Sequence, residues 1–245
     1  MSLRIIPTII VDSGAAYHTI NFKKNLYLGD PINICRIYNE KNCDEIVIMD
    51  VSKNKDFSLV NLGKLERLTE NVFVPIIYGG GLTSIEDIDK VFTSGIDKVI
   101  LKYNNRNSCE LSKIISEKYG LQSVVISLNL SEKFTLRKGG LTSIKSIDEV
   151  INNLSRYYFG ELLIQFVDYA GSKRGINLDL AMKIRTLLEK PMIYSGGVSN
   201  VQEMKELHNL GFDAVSVSSM FSLHPISGTP LISYISNEDR ERFSI

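Results

Sequence analysis

The sequence predicts an α/β fold of the (β/α)8 or TIM-barrel class, and three observations carry that expectation. Eight short Val/Ile/Leu-rich runs are spread over 245 residues, amphipathic segments with helix-start signals separate them, and one strand–turn–helix pattern occurs twice. The runs are continuous rather than alternating, as expected of parallel strands buried on both faces. An open doubly wound sheet would also alternate strands with helices, but it does not predict the internal repeat.

In chain order, the first strand, 4–10, opens on Arg4-Ile5-Ile6-Pro7. The second, 45–50, places Ile46-Val47-Ile48-Met49 between Glu45 and Asp50. The third, 74–78, ends on Gly79-Gly80-Gly81, and the Thr83-x-x-Glu86 spacing beyond it predicts a capping box and a helix. The fourth, 98–102, follows Gly95-Ile96-Asp97, and the fifth, 123–129, runs to Asn129. The sixth, 161–166, sets Leu162-Leu163-Ile164 behind Glu161. The seventh, 191–194, ends on Ser195-Gly196-Gly197, with a second capping box at Ser199-x-x-Gln202, and the eighth, 214–218, ends on Ser218.

The Gly79–Ile88 pattern returns at Ser195–Met204, an offset of 116 residues from Gly80 to Gly196. The same offset carries Gly95 onto Gly211, Asp97 onto Asp213, Val99 onto Val215 and Glu45 onto Glu161. This predicts an internal two-fold half-barrel repeat, with halves at about 1–120 and 121–245. No long Pro, Gly or Ser stretch divides the chain, so a single domain is expected.

Composition excludes several classes. The 28 Lys and Arg balance the 28 Asp and Glu, against the cationic excess of a nucleic-acid binder. No apolar run approaches membrane-spanning length and no leader pattern is present, so a cytoplasmic protein with no membrane partner is expected. Cys35, Cys43 and Cys109 are odd in number and lack paired ligand spacing, and His18, His208 and His224 have no metal-ligand neighbours. No metal and no cofactor are expected.

In a barrel, chemistry gathers at the C-terminal strand ends, with phosphate sites after strands 7 and 8. Gly196, Gly197, Ser218 and Ser219 stand there, where glycine lets backbone N–H groups approach an anion. Gly171 and Ser172, beside Lys173 and Arg174 after the sixth strand, can close over a phosphorylated small-molecule ligand. Gly80 and Gly81 form the counterpart across the mouth. Each glycine pair also suits a plain tight turn, and the 168–175 segment a solvated loop. Asp50 and Asp168 end the second and sixth strands as candidate acid–base groups. His18, in the loop expected after the first strand, is either a candidate ligand contact or an ordinary loop residue.

Arg4-Ile5-Ile6-Pro7, Gly29-Asp30-Pro31, Asp44 to Asp50, Gly79-Gly80-Gly81, Gly95 to Val99 and Ser195-Gly196-Gly197 together resemble the cyclase subunit of imidazole glycerol phosphate synthase, across nearly the whole chain. The resemblance implies a heterodimer with a glutaminase subunit, whose ammonia crosses the barrel to a bisphosphate substrate undergoing lyase and cyclase chemistry. It also implies an ammonia gate of Arg4, Glu45, Lys98 and Glu161, each at a strand start; four such charges can equally form a structural salt-bridge layer. Where the family carries its two catalytic aspartates, Ile10 and Asn129 stand, and Lys102-Tyr103 and Ala170 also depart from its pattern. Isoleucine transfers no proton and an amide does not titrate near neutrality. Asn129 therefore joins Asp50 and Asp168 only as a candidate in an altered role.

Asn21 to Lys24, Tyr27 to Asn33 and Ile37 to Lys41 look like a paralogous branch found with a second glutaminase and a sugar amidotransferase in surface-polysaccharide (lipopolysaccharide) pathways. There the resemblance implies ammonia delivery for turning an acetamido sugar into an acetamidino sugar. Three readings follow: an ammonia-channelling subunit of that kind, an imidazole glycerol phosphate cyclase of histidine biosynthesis, or a non-catalytic phosphate-binding scaffold.

Overall fold

Twelve strands are formed by the residues that the structure, a computed structural model, describes: 2–243 apart from 22, 55, 57, 61, 62, 104, 132–136, 139, 140 and 143–146. They are β1 (Arg4–Asp12), β2 (Ala15–Ile20), β3 (Lys23–Gly29), β4 (Ile46–Asp50), β5 (Ile76–Gly79), β6 (Lys98–Lys102), β7 (Val124–Leu130), β8 (Arg137–Lys138), β9 (Leu141–Thr142), β10 (Glu161–Phe166), β11 (Met192–Ser195) and β12 (Ala214–Val217). Eight run parallel in the order β1-β4-β5-β6-β7-β10-β11-β12, and β12 pairs with β1 to close a (β/α)8 barrel. Each lies within two residues of the expected run.

The helices are α1 (Pro31–Glu40), α2 (Lys64–Thr69), α3 (Ile85–Thr93), α4 (Ser108–Tyr119), α5 (Ile147–Leu154), α6 (Leu178–Arg185), α7 (Val201–Asn209), α8 (Ser219–Ser222) and α9 (Asn237–Phe243). Both expected capping boxes move by one residue. The side chain of Ser84 accepts from Asp87 N and that of Asn200 from Glu203 N, because Ser and Asn each cap as well as the Thr or Ser before them. The same turns recur at the 116-residue offset: Asp97 Oδ2 accepts from Ile76 N at 2.8 Å, and Asp213 Oδ2 from Met192 N at 2.9 Å.

Side-chain parity sorts two cores. Inside the barrel, Ile6, Val47, Ile77, Ile100, Val125, Leu163, Ile193 and Ala214 form one apolar layer, a single residue from each barrel strand. Outward-facing residues such as Ile48, Tyr78, Ile126, Ile164 and Tyr194 pack against the helices in the larger core. Among the described residues no helix is long and apolar enough to cross a membrane.

One feature departs from the expected loop after the first strand. The chain turns back as the antiparallel hairpin β2–β3, attached to β1 through Ile10↔Tyr17, Val11↔Ala16 and Asp12↔Ala15. His18 is thus a strand residue, 2% exposed, rather than a loop residue. Ala15–Ile20 has a single branched aliphatic residue and so lacks the Val/Ile/Leu run by which the barrel strands stand out.

Candidate functional site

At the N-terminal end of the barrel, the four strand-start charges meet in a closed ring. Arg4 Nη1 donates to Glu45 Oε1 and Nη2 contacts Glu161 Oε1, both at 2.6 Å. Lys98 Nζ completes the circuit, at 3.2 Å from Glu45 Oε1 and 3.3 Å from Glu161 Oε2. Charges therefore alternate around the ring and sum to zero. Burial alone would lower the pKa of Arg4, but the fields and hydrogen bonds of Glu161 and Glu45 outweigh it and raise the value.

Above the ring lies the eight-residue apolar layer, and above that the mouth. A small cavity of about 40 Å³ is lined by Gly171, Gly196, Gly197, Ser218 and Ser219, with Lys173 and Ile10 at its wall. Gly196 and Gly197 adopt φ of +117° and +86°, and a Cβ on Gly197 would stand 2.1 Å from Gly175 O. Backbone is thus packed directly on backbone here, which no side-chain-bearing residue permits. Ser172 does not line this cavity; its hydroxyl donates to Tyr169 O at 2.8 Å.

His18 links the hairpin to this cradle. Its Nε2 lies 3.2 Å from Gly171 O and 3.0 Å from Ser219 Oγ, and its Nδ1 lies 3.3 Å from Asn25 Nδ2. A neutral ring carrying its proton on Nε2 satisfies all three, donating to the oxygens and accepting from the amide. Burial, reinforced by the charge of Lys173, lowers its pKa against the raising effect of the Gly171 carbonyl. Lys173 is itself shifted down by burial.

Across the mouth, a larger cavity of about 570 Å³ is lined by Gly80, Gly81, Asp50, Lys102, Asn129 and Gln165, among others. Gly80 rests against Asp50 O, where a Cβ would come within 2.0 Å, whereas Gly81 faces open space. The Asp50 carboxylate accepts from Leu59 N at 2.7 Å, Ser52 N at 3.0 Å and Tyr78 Oη at 3.0 Å. Asp168, just past β10, lines neither cavity, and its carbonyl accepts from the Arg174 guanidinium. Among the described residues, no group of three His, Cys, Asp or Glu side chains is placed to hold a metal.

Two groups escaped the sequence reading. Gln165 is 7% exposed and lines both cavities. Thr8, Ser195 and Ser216 share its level, with a short Thr8–Ser216 hydroxyl hydrogen bond. Counting by twos from Glu161 through Leu163 would have turned Gln165 inward.

A sequence profile of the family described as "Histidine biosynthesis protein" matches residues 4–226. The chain belongs to that family. It is similar, at 31% identity over 97% of both chains, to a Leptospira interrogans protein that bears the provisional name imidazole glycerol phosphate synthase subunit HisF. A Leptospira borgpetersenii protein with the same provisional name is 26% identical over 97% of both. The imidazole glycerol phosphate synthase subunit HisF of Staphylococcus aureus is 33% identical, covering 88% of this chain and 87% of its own. These relatives carry the synthase name and none the acetamidino-sugar one. Within this HisF-like barrel, the two positions where the resemblance implies aspartates lie at the mouth: Ile10 beside the small cavity, Asn129 in the large one.

Proposed function

We propose that this chain is the barrel subunit of an imidazole glycerol phosphate synthase-type amidotransferase. A glutaminase partner docks on the face of the Arg4–Glu45–Lys98–Glu161 ring, and its ammonia is used on a phosphorylated substrate at the mouth. The observation that carries this reading is the stacking of three layers on one axis: charged ring, apolar layer, polar mouth. Neutral ammonia crosses an apolar layer without the cost of burying a charge, whereas ammonium does not.

The phosphate binds the cradle of Gly171, Gly196, Gly197, Ser218 and Ser219, with Lys173 supplying charge. Gly80 and Gly81 serve the far end of the ligand, and Ser172 acts only through the loop it stabilises. Asp50, held by three donors, positions the loop after β4. Any proton transfer falls to groups other than Ile10 and Asn129, and Asp168, which lines neither cavity, could take part only if its loop moved inward. The names of the relatives favour the histidine-pathway substrate.

A second reading is favoured by Ile10 and Asn129: the same ammonia delivery, but to a sugar nucleotide and a separate sugar amidotransferase of surface-polysaccharide synthesis, with the cyclase acids dispensable. Expression with the glutaminase in a histidine auxotroph separates the two. Growth without histidine supports the first. A stable glutaminase complex without growth supports the second. Absence of any complex, with glutamine hydrolysis unchanged, removes both and leaves a phosphate-binding scaffold.

A further inference from the structure

The floor of the mouth is two-sided, and the strand register shows how. Across β1, β4, β5 and β6 the paired residues are Ile10, Met49, Gly79 and Ile100. Across β7, β10, β11 and β12 the paired residues are Asn129, Gln165, Ser195 and Ser216. Met49, Gly79 and Ile100 stand at the 116-residue offset from Gln165, Ser195 and Ser216. Equivalent positions are therefore apolar in one half of the barrel and uncharged but hydrogen-bonding in the other. The polar row adjoins the glycine cradle, since the loops bearing Gly171, Gly196 and Ser218 leave the ends of β10, β11 and β12.

We infer that the mouth takes a phosphate ester whose body is uncharged, hydrogen-bonding along one edge and apolar along the other, and that Gln165 is the residue that positions it. Gln165 is the member of the polar row that faces both cavities, so a ligand with its phosphate in the cradle must pass this side chain to reach the larger space. Gln165 and Asn129 are directly paired on adjacent strands, and both line the larger cavity. No hydrogen bond among the described residues uses either carboxamide, although Gln165 is more than nine-tenths buried. These amide donors and acceptors are open to the cavity, and a hydroxyl or amide edge of a ligand supplies partners of both kinds. The ionisable groups lining this cavity are engaged within the protein: Asp50 by its three donors, Lys102 by a contact of its own. Met49 and Ile100 close on Gly79, giving the opposite edge an apolar wall.

This inference rests on the phosphate-cradle reading, and titration calorimetry on the full chain with two probes separates them. Ribulose 5-phosphate should bind at least tenfold more tightly than inorganic phosphate, a difference of about 1.4 kcal/mol. Gln165→Met, nearly isosteric but without the amide, should lose about tenfold for ribulose 5-phosphate and less than twofold for inorganic phosphate. Gln165→Glu, which keeps the length and adds a charge, should also narrow the ratio, and provides a second readout if the methionine variant does not fold. Equal affinity for both probes in the native chain, or an unchanged ratio in the variants, overturns the role of Gln165 while leaving the cradle standing. Failure of inorganic phosphate to bind at all removes the cradle, and the inference with it.

Discussion

Replacing Lys98 by methionine tests whether the ring is one electrostatic unit. Its Nζ lies 3.2 Å and 3.3 Å from the two Glu45 oxygens and 3.3 Å from Glu161 Oε2, so the change removes three charge-assisted contacts and leaves the ring at −1. Stripping a fully buried charge of its partner costs about 3–5 kcal/mol. Two features lower that figure. Arg4 still touches both glutamates at 2.6 Å, and the side chains retain between 8% and 26% exposure. A loss of about 2 kcal/mol is expected, or a fall in Tm of roughly 4–8 °C for a chain of this size. Glu161→Gln alone should cost about 1–2 kcal/mol by leaving one cation in excess. The double variant returns the ring to neutrality as an Arg4–Glu45 pair, so it should lose at least about 1 kcal/mol less than the sum of the singles. Equilibrium urea unfolding of the four proteins gives the cycle. Single losses under about 0.5 kcal/mol that simply add would refute the network.

Three further outcomes are expected. Because the pKa of His18 lies below the ordinary 6.5, the unfolded chain takes up a proton as pH falls through that value while the folded chain does not. Stability is thus full above about pH 6.5 and declines below it. Tm measured from pH 7.5 to 5 should fall more steeply in the native protein than in His18→Gln, and parallel curves would contradict this. Gly171→Ala places a Cβ 1.7 Å from Thr19 O at φ +75°, whereas Gly81→Ala meets only the strain of φ +63°. The first should cost well over 2 kcal/mol and the second about 1 kcal/mol by chemical unfolding, and equal losses would show that the hairpin yields. Burial pushes the Cys43 thiol up to about 12 and that of Cys35 higher still. A thiol reagent should therefore modify only the partly exposed Cys109 in the native protein, and all three cysteines after unfolding.

Much of this architecture was legible because a doubly buried parallel strand has a plain signature. Ile46-Val47-Ile48 and Leu162-Leu163-Ile164 admit little else, and a charge heading each run has to lie at one rim. What the same apolar continuity conceals is direction. With both faces of a strand buried, nothing in Leu162-Leu163-Ile164-Gln165 marks which residues turn inward until the closed ring of Glu161 and its partners fixes the parity. The amide at Gln165 was therefore missed. The β2–β3 hairpin was missed for the opposite reason. Tyr17-His18-Thr19 lacks apolar alternation, and His18 is buried by its contacts with Gly171 and Ser219, which lie more than 150 positions away along the chain.

The hairpin also reopens a problem that closure solves. A closed barrel has no free edge, yet by attaching β2 and β3 to β1 the ten-stranded sheet regains one, along β3, among the described residues. An unpaired rim of peptide groups is a template for a neighbouring molecule to extend, the first step towards ordered aggregation. Here that rim begins with exposed Lys23 and Lys24, and its pairing with β2 is broken by two register shifts. A second copy approaching β3 would meet the charge of Lys23 and an uneven ladder, Lys24 being paired with Asp12 at 2.7 Å. Replacing Lys23 with threonine, which leaves the Lys24–Asp12 pair in place, would remove that charge from the edge and should lower the concentration at which the protein self-associates.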